Sequence, residues 1–208
     1  MEHKKLLPKI KKPNQPRAEV TVDNILESAD AIFSEGDHKS INARNLATKS
    51  GYSIGTLYYY LEKAEDAFIL MIIKRRERQF HQLVEIINQF PENKPIGDLL
   101  AQMIDSSFKE YNRMNHRSFF LIFRMILRFS KNPLAFDDAL SLLVEPLINA
   151  QRRNTTDTFR KLESDDLLML LKTCFAIVRR PFLEQNPIAG SPKHRELAID
   201  TMARLLGK

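Results

Sequence analysis

Residues 42–61 read NARNLATKSGYSIGTLYYYL, and their reading decides the fold. Leu46 and Ala47 give a short helix its apolar side, and Asn42 stands ahead of it as N-cap. Gly51 supplies the left-handed conformation favoured just past a helix C-terminus. Ser53 caps a second short helix, residues 54–61. Two short helices joined by a glycine turn form a helix-turn-helix. A motif of this kind places the start of its second helix in the DNA major groove while the first helix crosses the backbone.

The second helix carries groups suited to that task. Thr56 can bond base edges or a phosphate, and its methyl or Ile54 can meet a thymine methyl. Gly55 weakens a helix, which a close approach of backbone to a phosphate would explain; a tight contact between the two helices explains it equally well. Tyr58, Tyr59 and Tyr60 are consecutive, and each step turns a helix by about 100°, so all three cannot face the core. At least one phenol lies outside, where it can donate to phosphate oxygen.

N-terminal to this stretch, Val22, Ile25, Leu26, Ala29, Ile32 and Phe33 make one apolar helical face. Thr21 is the expected N-cap and Gly36 the stop. Residues 1–17 hold six Lys and Arg against Glu2, with prolines at 8, 13 and 16. They read as part of a basic flexible arm, residues 1–20, which suits a polyanion or is a solvated tail.

C-terminal to it, helical periodicity covers residues 66–90, with the cluster Lys74-Arg75-Arg76-Glu77-Arg78 as a solvated face. Further helices are expected at 96–111, at 117–129, at 136–162 with Pro146 inside, at 165–184 with Pro181 bending or breaking it, and at 194–206. Arg124 and Arg128 interrupt the apolar 117–129 helix on one side. The fold class is therefore all-α: an N-terminal three-helix helix-turn-helix domain at 21–66, then a larger helical dimerisation and ligand-binding domain at 67–208.

The totals exclude several classes. The chain has 208 residues, 43% hydrophobic and 28% charged, with only 6 glycines and a net charge of +6. That is ordinary for a globular protein, and the excess charge sits at the N-terminal end. Cys174 is the only cysteine, which excludes an internal disulfide and agrees with the cytoplasm. No apolar run reaches the ~20 residues of a membrane span. The five histidines show no metal-ligand spacing, and no Gly-rich phosphate loop or nucleophile elbow is present. No catalytic residue, metal or cofactor is expected.

Residues 22–68 resemble the DNA-binding domain of TetR-family transcriptional regulators. The likeness is carried by Ile25, Leu26, Ala29, Ile32, Phe33 and Gly36, then by Leu46-Ala47, Gly51-Tyr52-Ser53 and Gly55-Thr56-Leu57-Tyr58-x-Tyr60-Leu61. The resemblance implies a homodimer on a palindromic operator, usually a repressor, released by a small molecule. Control by a protein partner, with no small effector, is the alternative. It further implies DNA contacts by Ala43 and Arg44, by the segment Ser53, Ile54, Gly55, Thr56, and by Tyr58, Tyr59 and Tyr60. The family's phosphate-binding lysine after this helix falls on Ala64, and Lys63, one residue earlier, is its expected substitute. Arg17 of the arm is expected to reach the backbone. The last two helices are expected to form the dimer interface, a role that the leucine-coated 165–184 segment suits. A pocket for an apolar or anionic effector is expected around Phe108, Tyr111, Phe119, Phe123, Arg124, Arg128 and Phe175, which read equally as core.

Overall fold

The computed structural model describes residues 15–35, 40–113 and 139–208; among these it is helical, with one isolated β-bridge and no strand. The helices are α1 Pro16–Ser34, α2 Ala43–Ser50, α3 Ile54–Tyr60, α4 Ala64–Asn88, α5 Ile96–Arg113, α6 Val144–Arg153, α7 Ser164–Leu183 and α8 Pro192–Leu206. They fall into two compact units. One holds the described residues up to Arg76, the other those from Glu77 to Asn112 and from 139 onward. The helix expected at 117–129 lies outside the described residues.

In the first unit, α1 buries the apolar face read from the sequence, Val22 to Phe33, and shares its core with Leu46, Leu57, Leu61 and Phe68. The helix begins at Pro16 rather than after Thr21. Proline at the first position lacks only an N–H that would have had no partner, and its φ is already helical. Thr21 is thus inside the helix, donating its hydroxyl to the Arg17 carbonyl at 3.0 Å. Residues 16–20, assigned to a flexible arm from sequence, are helical.

The basic cluster on α4 is only partly a solvated face. Lys74 Nζ stands 2.6 Å from Asp23. Arg75 pairs with Asp30, donates to Ser34 Oγ at 2.9 Å and lies over the Phe33 ring at 5.6 Å. Asp23 and Asp30 sit seven residues apart on one side of α1, so two turns of that helix meet one cationic face of α4. These pairs fasten α4 to α1 within the first unit, which holds the described residues up to Arg76.

In the second unit, α7 and α8 pack together through one repaired defect. Pro181 lies inside α7 and has no N–H for the Ile177 carbonyl one turn earlier. His194 of α8 fills the place, with Nε2 at 3.1 Å from that carbonyl. Its Nδ1 accepts the Gly190 N–H at 3.1 Å, which fixes the proton on Nε2. The ring is buried against Phe108 and Phe182. This is why α7 runs past Pro181 to Leu183, close to the 165–184 span read from the sequence. Cys174, in the same helix, is buried, and burial pushes its thiol pKa up to about 12. It is an unreactive core residue.

The 136–162 helix expected from sequence is shorter. α6 ends at Arg153, and beyond it Asn154, Thr155 and Thr158 direct their side chains to the backbone of residues 92–96. Asn154 Nδ2 donates to the carbonyls of Glu92 and Lys94, at 3.0 and 2.8 Å, and Thr158 Oγ1 accepts the Ile96 N–H at 3.0 Å. Phe159 bridges to Gly207, where an added Cβ would come within 2.5 Å of the Ala203 carbonyl.

Replacing His194 by phenylalanine keeps the ring stack and removes both hydrogen bonds. We expect a loss of about 1–3 kcal/mol, the cost of an unsatisfied buried carbonyl, read from the urea-unfolding midpoint. An unchanged midpoint would show that the Ile177 carbonyl finds another donor.

Candidate nucleic-acid interface

The helix-turn-helix is built by three local devices. Asn42 caps α2, its side chain accepting the Asn45 N–H at 3.0 Å. Gly51 takes φ +73°, and its N–H closes on the Ala47 carbonyl at 3.0 Å. Ser53 Oγ then accepts the Thr56 N–H at 3.0 Å and starts α3.

α3 has seven residues, and Leu57 is its one fully buried side chain, 1% exposed. Around it the surface is open. Ile54 is 45%, Tyr58 52% and Tyr59 57% exposed, and Ser53, Gly55 and Lys63 are exposed as well. Thr56 is half-buried, with Oγ1 2.9 Å from Ser53 Oγ. Tyr60 is half-buried and meets Tyr59 edge-on at 4.9 Å. Arg44 is exposed on α2, while Ala43 is half-buried. Arg17 is exposed in the first turn of α1. A cation there opposes the helix dipole, so the local helix does not account for it.

The structure narrows the alternatives left open at Gly55. A Cβ on Gly55 would meet only Ser53 Oγ, at an ordinary 3.6 Å. No contact between α2 and α3 therefore demands this glycine. Ala64 is buried, and the cation next to α3 is the exposed Lys63, whose N–H donates to Asp66 at 2.8 Å. Burial raises the Asp66 carboxyl above its ordinary value, with that N–H bond working against it.

One contact was invisible to sequence reasoning. Asn24 Nδ2 of α1 donates to the Tyr52 hydroxyl at 3.1 Å, tying α1 to the turn. The partners are 28 residues apart, and Asn24 belongs to no motif.

The residues expected around an effector stand as follows. Phe108 packs on Phe182 at 5.5 Å, Tyr111 on Phe182 at 5.0 Å, and Phe175 on Phe80 at 5.9 Å. Phe119, Phe123, Arg124 and Arg128 lie outside the described residues. A recess lined by Ile96, Leu100, Met103, Leu147, Phe159 and Leu162, among others, holds about 20 Å³, room for a single water.

No protein-family model matches the chain, and no curated protein matches it in sequence. Solved structures do match. A TetR-family transcriptional regulator from Streptomyces coelicolor superposes with a TM-score of 0.62 at 13% identity, over 90% of this chain and 79% of that one. The fatty acid degradation regulator FadR from Bacillus halodurans gives 0.61 at 18% identity, over 92% and 97%. SmeT, the repressor of the Stenotrophomonas maltophilia multidrug efflux pump SmeDEF, gives 0.59 at 18% identity, over 92% of both chains. The chain has the fold of TetR-family transcriptional regulators.

Gly55→Ala separates fold from interface. The substitution should stabilise the first unit by a few tenths to about 1 kcal/mol, because alanine suits a helix better and space for it is open. The same methyl should weaken DNA binding by blocking close approach. Thermal melts and duplex titrations check the two signs, and equal DNA affinity would remove Gly55 from the interface.

Proposed function

We propose that this chain, which has the TetR-family fold, is a member of that family: a sequence-specific DNA-binding regulator that acts as a dimeric repressor of a palindromic operator and is released by a small apolar or anionic ligand. One observation carries the DNA-reading part. α3 spends a single side chain on the core and turns Ile54, Tyr58 and Tyr59 outward. Exposed apolar and phenolic groups on a short rigid helix suit base methyls and phosphates better than they suit water. Arg44, Lys63 and Arg17 provide cations around that edge, as a polyanion requires.

Dimerisation is assigned to α7 and α8. Met169 on α7 is 62% exposed and Leu197 on α8 is 47% exposed, and a second copy would cover both. The repressor role takes support from SmeT, a repressor of the same fold. Ligand release is assigned to the helical second unit. A cytoplasmic location follows from the proposed DNA target. Among the described residues no helix is long and apolar enough to cross a membrane.

Binding to the intergenic duplex beside the protein's own gene, across a salt series, tests the function. Specific binding should weaken steeply, with a log–log slope of roughly −0.9 per phosphate neutralised. Thr56→Ala should cost about 1–3 kcal/mol on the operator and little on unrelated duplex. Binding that distinguishes no sequence would overturn the proposal.

A separate check addresses the dimer. Met169→Asp with Leu197→Asp should yield a folded monomer by light scattering, with operator affinity greatly reduced. A persistent dimer would place the interface elsewhere.

A further inference from the structure

We propose that Tyr52 donates its hydroxyl hydrogen to a phosphate of the DNA backbone and that Asn24 of α1 holds it in that role. The inference rests on the DNA-reading function proposed above and adds a contact and a positioning residue to it.

The hydrogen bond between them has a direction. Asn24 presents its Nδ2 to the phenolic oxygen at 3.1 Å, and an amide nitrogen only donates. The Tyr52 oxygen is therefore the acceptor, and its own hydrogen must point away from Asn24. A phosphate oxygen only accepts, so it complements a hydroxyl fixed as donor. The bond lies at the surface, and Tyr52 directly precedes the residue that caps α3.

The faces of α1 show where an anion can approach. Arg17, Thr21 and Asn24 follow one another at i, i+4 and i+7 and share a side that holds no carboxylate over those turns. The acids Glu19, Asp23, Glu27 and Asp30 fall on a different side, where α4 pairs Asp23 with Lys74 and Asp30 with Arg75. The remaining side is buried core. Negative charge is thus kept off the stripe that leads from the exposed Arg17 to Tyr52. A backbone running along that stripe meets a cation at one end and the oriented phenol at the other.

The test uses the full chain, the operator duplex, an unrelated duplex, and a set of operators each carrying one neutral methylphosphonate. Tyr52→Phe should weaken binding to both duplexes by a similar factor, about tenfold, because a phosphate contact carries no sequence information. The salt slope should stay unchanged, since a neutral hydroxyl displaces no counterion. One methylphosphonate position that weakens the wild-type complex should have no further effect on the variant. Asn24→Asp reverses the bond, because a carboxylate accepts the phenolic hydrogen. It should remove sensitivity at that same position, and it should cost less in the Tyr52→Phe background than alone.

Wild-type affinity in Tyr52→Phe would overturn the inference. So would weakened binding with an unchanged methylphosphonate pattern, which marks a purely structural effect; Asn24→Asp gives the same readout without touching the ring. A wild-type chain that distinguishes no sequence overturns the DNA-reading function beneath the inference instead.

Discussion

The arrangement of the first unit depends on one turn. α3 is seven residues long, too short to persist alone, because helix nucleation is costly and propagation over so few residues returns little. Burying Leu57 contributes about 1.5–3 kcal/mol, and it is the helix's single deep anchor. Direction therefore has to come from the chain ahead of it. Gly51 at φ +73° reverses the path after α2, and Ser53 satisfies the Thr56 N–H at the start of α3. The Asn24–Tyr52 bond fastens the same turn to α1. Because these devices hold α3, its other faces need not serve the core, and they are the ones that carry exposed apolar and phenolic groups.

Charge is partitioned in the same spirit. α1 carries basic and polar groups, acids, and apolar residues on three separate sides. The acids meet cations on α4, so a cluster that reads in the sequence as surface charge fastens two helices together. The second unit shows a comparable repair, with His194 supplying the donor that Pro181 withholds from Ile177. In both places a group that is unfavourable locally is satisfied by a partner far away in the chain.

That pattern explains what was legible in the sequence. The helix-turn-helix was legible because its signals are local: caps at Asn42 and Ser53, a glycine at 51, and apolar residues at helical spacing. The apolar face of α1 was legible for the same reason, whereas its start was misplaced because Pro16 signals a helix N-terminus as readily as a mobile arm. The partner that carries α7 past Pro181, the end of α6 at Arg153 and the fastening of α4 were not legible. Each is decided by a tertiary partner: His194 for Pro181, the Glu92 and Lys94 carbonyls for Asn154, and Asp30 for Arg75. The exposed face of α3 followed from the impossibility of burying three consecutive tyrosines; the free space at Gly55 needed coordinates.

The most direct measurement of the central claim is a map of backbone amide NMR shifts as an operator duplex is added, at salt high enough to suppress non-specific binding. An α3 that reads DNA places the largest shifts at Ser53 to Tyr60, with smaller ones at Arg17 and Arg44. Saturable binding whose shifts leave α3 untouched and gather on another surface would contradict it.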